Sequence, residues 1–229
     1  MIVWVASYPR SGNTFLRAVL HGLHGQTSVS SYAGETRRLD RIRPAFAFAE
    51  PLRAPLEALQ ADPGNFFVKT HAQTPPLPGK ALYMVRDGRD VLLSYAWYRL
   101  RVQQRRPLAS IDEGTLREEL AARIDETRLP FGSWSGNVGA WLNRPDTAVL
   151  RFEELIRKPE LVTGALRGLG LDLPRVPGGR TPSFEELHAL RPAFFRSGRV
   201  GAWRDEFPPE LLPRFQELHG AMMDTLGYA

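Results

Sequence analysis

The sequence contains no cysteine. That absence removes disulfides, thiolate nucleophiles and cysteine-ligated zinc from the available chemistry. Lysine is scarce too: Lys69, Lys80 and Lys158 stand against 27 arginines. No apolar run approaches the roughly 18 residues that a membrane-spanning helix needs, so no span is expected. The chain opens on an apolar run with neither a basic leader nor a small-residue cleavage site, and no secretory signal is expected. Together these features point to the cytoplasm. There is no internal repeat and no sharp shift in composition, so one domain over residues 1–229 is expected, large enough to bury a substantial core.

What is present is positive charge, a net +5. The densest basic stretches hold Arg37, Arg38, Arg41 and Arg43, then Arg99, Arg101, Arg105 and Arg106. Neither interleaves aromatics in the manner of a nucleic-acid module, so they read as solvated surface and no nucleic-acid partner is expected. A few arginines are left to serve an anionic ligand.

Short, continuous apolar runs at 2–7, 65–70, 81–86 and 147–152 have the character of strands buried on both faces of a parallel sheet. Helical patterns lie between them. Phe15, Leu16, Val19, Leu20 and Leu23 share one face, as do Val91, Leu92, Tyr95 and Tyr98. Asp87, followed by Asp90, is placed to cap the second of these helices. Further helices are predicted near 114–126, 133–142, 159–169 and 208–225. The alternation defines an α/β fold, a three-layer α/β/α domain around a mainly parallel sheet. Two long excursions, about 26–64 and 99–132, interrupt it and read as variable binding segments.

Four segments carry chemistry. In "SYPRSGNTF" an apolar strand breaks into a glycine-containing turn and then a helix, which aims unpaired backbone N–H groups and the helix's positive end at one spot. Ser11, Asn13 and Thr14 add donors and Arg10 a cationic fork. A plain strand-to-helix turn capped by Ser11 or Asn13 would use the same letters. The Gly-Lys-Ser/Thr ending of a nucleoside-triphosphate loop is missing, which disfavours a Mg²⁺-dependent triphosphatase. In "FFVKTHAQTP", Lys69 and His71 stand two apart at the carboxyl end of a strand, where both side chains enter one cavity. In "YMVRDGRDVLLSYAWY", Arg86 ends a strand and Ser94 lies two turns into the next helix, a pair able to hold a second phosphate. The alternative is a solvated arginine and a packed serine. In "FFRSGRVGAWRDEF", glycines and basic residues suit a flap over an anion, or equally a basic surface turn.

Taken in this order, the four segments resemble the sulfotransferases that use 3′-phosphoadenosine 5′-phosphosulfate. That family's first loop reads approximately Tyr-Pro-Lys-Ser-Gly-Thr-Thr-Trp, and its Lys-Thr/Ser-His corresponds to Lys69-Thr70-His71. Its Arg-x-x-x-Asp-x-x-x-Ser corresponds to Arg86, Asp90 and Ser94, and its late Arg-Lys-Gly-x-x-Gly-x-Trp to Arg196, Ser197, Gly198, Gly201 and Trp203. The resemblance spans nearly the whole chain and implies a phosphate-loop-like fold. It implies that Arg10, Ser11, Gly12, Asn13 and Thr14 hold the 5′-phosphosulfate, with Arg86, Ser94, Arg196, Ser197 and Gly198 at the 3′-phosphate. Phe15 and Phe152 would flank adenine. His71 would be the general base, with Lys69 and Arg10 compensating charge on the departing phosphate, and no metal would be required. A neutral imidazole in that role contributes about 10²–10⁴-fold.

Three departures from the family pattern stand out. Arg10 replaces a lysine, and Ser197 replaces another. The family's Lys-…-Thr-Val-…-Glu dimer segment after the tryptophan is here "RDEFPPELLPRF", so that dimer does not carry over. The resemblance leaves open the acceptor: a small molecule, a glycan, a lipid, a phenol or a peptide natural product bearing a hydroxyl. Phe46, Phe48, Trp97, Tyr98, Phe131 and Trp134 are candidates for its pocket, or else ordinary core. Two other readings of the sequence are a nucleotide-kinase-like phosphotransferase and a non-catalytic binder of anions or nucleic acid on the same fold. Lys69-Thr70-His71 separates them, since a pure binder has no use for a base beside a phosphosulfate.

Overall fold

Alternating side chains on the first strand decide how the layers assemble. The computed structural model describes residues 1–32, 52 and 54–228; the arginines at 37, 38, 41 and 43 and the phenylalanines at 46 and 48 lie outside them. Strand β1 (Ile2–Ser7) is buried throughout. Ile2, Trp4 and Ala6 join one core cluster, whereas Val3 and Val5 join another on the opposite face. A strand that is apolar at every position can do this only in the middle of a sheet covered on both sides.

The sheet is completed by β2 (Ser28–Ser30), β3 (Phe66–Thr70), β4 (Lys80–Val85) and β5 (Thr147–Arg151). Its order is β2-β3-β1-β4-β5, and every pairing is parallel. The register sets Val5 opposite Lys69 and Ser7 opposite Met84. The carboxyl ends of β1, β3 and β4 therefore lie side by side. The chain leaves β1 toward one side of the sheet and crosses to the other between β3 and β4, the switch point at which such sheets bind ligands.

Helix α1 (Asn13–His24) follows β1, α2 (Leu56–Ala61) precedes β3, and α3 (Gly88–Tyr98) follows β4. Then come α4 (Glu113–Ile124), α5 (Trp134–Leu142), the short α6 (Phe152–Leu155) and α7 (Leu161–Gly168). Last are α8 (Phe184–Leu190), α9 (Trp203–Glu206) and α10 (Leu212–Leu226). Leu16, Val19, Leu20 and Leu23 of α1 pack with Val162 and Leu166 of α7 on one face, while α3, α4, α5 and α10 cover the other. The three-layer expectation holds. Among the described residues no helix is long and apolar enough to cross a membrane.

Several elements differ from expectation. Within the 26–64 excursion β2 pairs with β3 as an edge strand, and its Ser-Val-Ser, with a single apolar side chain, gives no strand signal in the sequence. The strand expected over 147–152 ends at Arg151, and Phe152 opens α6. Trp134, a candidate pocket residue, is 1% exposed and packs under Gly88, where a Cβ would meet its ring.

His219 on α10 is a structural histidine. Its Nδ1 accepts from Ser135 Oγ at 2.9 Å, and Nε2–H donates to the Ile124 carbonyl at 3.1 Å. Burial holds its pKa below the ordinary value. The folded state thus prefers the neutral ring, and this contribution is complete above the ordinary histidine pKa of about 6.5 and is lost as pH falls below it. Urea titrations at pH 7.5 and 5.0 should show lower stability at pH 5.0, with the difference reduced in His219→Gln.

Candidate functional site

The loop after β1 is built around glycine. Gly12 has φ +100° and forms the amino-terminal boundary of α1 without a side-chain cap. It also lies against Phe152, whose ring a Cβ at position 12 would strike. The positive φ would strain any other residue, and the ring leaves no room for a Cβ. Neither Ser11 nor Asn13 caps the helix. Asn13 Nδ2 instead donates back to the Val5 carbonyl at 2.9 Å and to Ser7 Oγ at 3.3 Å, tying the loop to β1. Ser11 Oγ is buried and has no partner among the described residues.

Arg10 also has positive φ, +72°. This conformation costs a non-glycine residue about 1–2 kcal/mol, and such strain collects at functional sites. Its Nε donates to Ser94 Oγ at 3.3 Å and a terminal nitrogen to the Phe194 carbonyl at 2.6 Å. The guanidinium lies between the rings of Tyr98 and Phe194, 4.9 and 4.4 Å from their centroids. Burial pushes its pKa down to about 10, with Arg86, Arg196 and Arg191 lowering it further and Tyr98 opposing. It is still a cation near neutral pH.

At the end of β3, Lys69 and His71 do face the same space. The Lys69 ammonium is buried 5.3 Å over the Tyr32 ring, and Tyr32 stacks on His71 at 6.1 Å. Tyr32 Oη also accepts the His71 backbone N–H at 2.8 Å. The imidazole Nδ1 lies 2.7 Å from the Ser7 carbonyl, which only accepts, so Nδ1 carries the proton and Nε2 is the basic nitrogen. The peptide carbonyl of His71 is held by Asn137 Nδ2 at 3.1 Å.

At the end of β4, Arg86 is buried beside Asp90, donating to its carboxylate at 3.1 Å. A further bond reaches the Arg199 carbonyl at 2.9 Å, and the guanidinium lies 4.5 Å over the Phe152 ring. Its Nε has no partner among the described residues. Asp87 caps α3 by accepting from Arg89 N–H at 2.9 Å, as expected. Asp90 does not share the capping. It accepts from the backbone N–H groups of Gly201 at 2.8 Å and Trp203 at 3.0 Å, so one buried carboxylate ties Arg86 to the late loop. On that loop Arg196 pairs with Glu206 at 2.7 Å. Gly198, at φ +59°, lies against the Phe184 ring.

These four segments border one cavity of about 870 Å³. Arg10, Gly12, Asn13, Thr14, Phe15, Lys69, His71, Arg86 and Ser94 line it, with Phe152, Arg196, Ser197 and Gly198 opposite. Of the site residues expected from sequence, Ser11 alone is not in the lining. Tyr98 and Phe131 of the expected acceptor pocket are present; Trp97 is not and instead packs under Arg196, 5.3 Å from its ring centroid. Lining side chains that the sequence does not single out include Tyr32, Gln103, Phe184 and Leu187. Phe184 had a legible signal, because Ser183 and Glu186 form a complete capping box at the start of α8. Tyr32 follows a strand too short to recognise.

A glycine loop, a strand-end Lys/His pair and buried arginines at the carboxyl ends of a parallel sheet make this cavity chemically suited to an anionic ligand. Residues 2–166 match the family described as "Sulfotransferase domain". The chain belongs to the sulfotransferase family. It is 24% identical to Sulfotransferase 1E1 of Mus musculus, over 96% of this chain and 82% of that protein. To Sulfotransferase 4A1 of Homo sapiens it is 25% identical, over 96% and 80%. Among solved structures, mouse sulfotransferase SULT7A1 complexed with PAP superposes with a TM-score of 0.65, at 23% identity over 97% of this chain and 83% of that one. Retinol dehydratase, in complex with androsterone and inactive cofactor PAP, gives 0.54 at 19% identity, over 97% and 80%. These two likenesses establish a shared fold.

Proposed function

We propose that this protein transfers the sulfuryl group of 3′-phosphoadenosine 5′-phosphosulfate to an acceptor hydroxyl. The observation that carries the reading is the single cavity onto which the glycine loop, Lys69 with His71, Arg86 with Ser94, and residues 196–198 converge. The residues fit such a nucleotide. Arg86 lines the cavity, and its buried Nε, without a partner among the described residues, is a polar group that an anion would satisfy. Gly12 allows the tight turn of the loop and admits the Phe152 ring beside it.

Residues 10–14 would hold the 5′-phosphosulfate and Arg86, Ser94, Arg196, Ser197 and Gly198 the 3′-phosphate, with Phe15 and Phe152 beside the base. Bound there, the nucleotide would supply the sulfuryl group. His71 Nε2 takes the proton of the acceptor hydroxyl, since the bond from Nδ1 to the Ser7 carbonyl fixes the tautomer and the ring orientation. Lys69 and Arg10 supply positive charge in a water-poor site, where it counts for more than in solvent, and no metal is called for. The proposal takes in a cytoplasmic location and a small molecule, glycan or natural product as acceptor.

Incubation with ³⁵S-labelled donor and a panel of phenols, alcohols and glycans should give labelled product. Nucleotide binding with no transfer to any acceptor would favour the non-catalytic reading instead.

Asp90 is a positioning residue within this scheme. In Asp90→Asn one of the three donors it serves loses its acceptor, a defect worth about 1–3 kcal/mol for a buried group. Affinity for 3′-phosphoadenosine 5′-phosphate should fall about tenfold by calorimetry, whereas the Asp90→Glu variant, which keeps the charge, should recover part of the loss. Equal affinity in Asp90→Asn and the parent would remove Asp90 from this role.

A further inference from the structure

Helix α3 does not end as an α-helix: Arg99–Gln103 is a turn of π-helix. Leu93, Ser94, Tyr95 and Tyr98 line the cavity from α3, and the next residue to reach it is Gln103, five positions beyond Tyr98. Five is the π-helical hydrogen-bond spacing. An uninterrupted α-helix would bring position 101 or 102 to that face instead, and π-turns are frequent at functional sites. The irregular turn thus selects glutamine, in place of Arg101 or Val102, for the cavity mouth.

The amide is also oriented. Arg99 donates to Gln103 Oε1 at 2.9 Å, and Arg99 is itself anchored on Glu119 at 3.3 Å, which pairs with Arg123 at 3.1 Å. A guanidinium has no acceptor, so the oxygen must face Arg99 and the NH₂ must point away from it. Among the described residues that NH₂ has no hydrogen-bond partner, and Gln103 is exposed at the mouth. The wall of the same cavity holds the aromatic rings of Tyr95, Tyr98, Phe131 and Phe194.

We propose that Gln103 is a specificity-determining residue that donates its amide N–H to an oxygen acceptor, a carbonyl or ether, carried by the sulfuryl acceptor away from its reacting hydroxyl. The substrate class this defines has a hydroxyl at one end, an apolar or aromatic body, and a hydrogen-bond-accepting oxygen at the other. The inference rests on the sulfotransferase reading above. A cavity wall built to bond a substrate oxygen discriminates against the analogue lacking it, because the polar group is then covered unpaired.

The test uses matched phenols that differ in one oxygen: 4-acetylphenol with 4-isopropylphenol, and 4-(3-oxobutyl)phenol with 4-(3-methylbutyl)phenol. The full chain should favour the ketone of at least one pair about tenfold in kcat/KM, chiefly through KM. Gln103→Leu should abolish that preference while leaving the alkyl phenol and the affinity for 3′-phosphoadenosine 5′-phosphate unchanged. Gln103→Glu, which presents only acceptors, should reverse the preference, and Arg99→Met should weaken it by releasing the amide. Equal turnover of ketone and alkyl partners by the parent overturns the inference. So does a uniform loss in Gln103→Leu, or transfer to other hydroxyls with none to any member of the pairs. In each of those cases nucleotide binding and sulfuryl transfer stand. A chain that binds no 3′-phosphoadenosine 5′-phosphate overturns the underlying reading as well.

Discussion

Replacing His71 with alanine should lower the rate of sulfuryl transfer by about 10²–10⁴-fold, the usual contribution of a positioned general base. Affinity for 3′-phosphoadenosine 5′-phosphate should stay within about twofold, because the proposed phosphate contacts come from other segments. The structure makes this separation testable. His71 Nδ1 is committed to the Ser7 carbonyl at 2.7 Å, so the ring's other nitrogen carries its chemistry. Losing the anchoring bond costs about 1 kcal/mol of stability, too little to unfold a typical domain. Single-turnover assays beside calorimetry separate the cases. Near-normal turnover in His71→Ala would remove the residue from the base role, and a parallel collapse of nucleotide binding would make its role structural.

The second large effect belongs to Arg86. It is buried, faces Asp90 at 3.1 Å and has an unpartnered Nε beside the cavity. Removing one member of a buried, hydrogen-bonded charge pair costs about 2–5 kcal/mol at a binding site. Arg86→Ala should therefore weaken 3′-phosphoadenosine 5′-phosphate at least 30-fold, the factor that about 2 kcal/mol corresponds to. Adenosine 5′-phosphate, which lacks the 3′-phosphate, should be nearly unaffected. That contrast distinguishes recognition from general damage, since a loosened loop would weaken both ligands alike. Arg86→Lys should restore only part of the affinity, as an ammonium keeps the charge and loses the fork.

Arg10 lines the cavity, and its guanidinium is also engaged by groups of the protein. A cationic fork next to Gly12 reads naturally as reaching into the phosphate site. In the fold it is spread between Ser94, the Phe194 carbonyl and two aromatic rings, holding the late loop against α3. Its charge still borders the cavity.

Where a pattern was local, it was legible. β1, β3 and β4 are continuous apolar runs because both their faces are covered, and Asp87 caps α3 because a carboxylate there meets the first free N–H groups. Lys69 and His71 share a cavity, as a spacing of two at a strand's carboxyl end predicts, although β3 itself stops at Thr70. Long-range relations were not legible. Asp90 has the spacing of a capping partner, and only the arrival of Gly201 and Trp203, more than 110 positions later, turns its carboxylate elsewhere. Trp134 and Phe131 are equally plausible pocket aromatics on paper; the packing of Gly88 against Trp134 assigns one to the core, while Phe131 meets Tyr95 at the cavity. Gln103 reaches the site through a π-turn, a backbone irregularity that the hydrophobic period gives no sign of.

The most direct measurement of the central claim is a calorimetric comparison of 3′-phosphoadenosine 5′-phosphate with adenosine 5′-phosphate on the unmodified chain. A site with clamps for both phosphates should bind the doubly phosphorylated nucleotide at least 30-fold more tightly. Equal affinity for the two would contradict it.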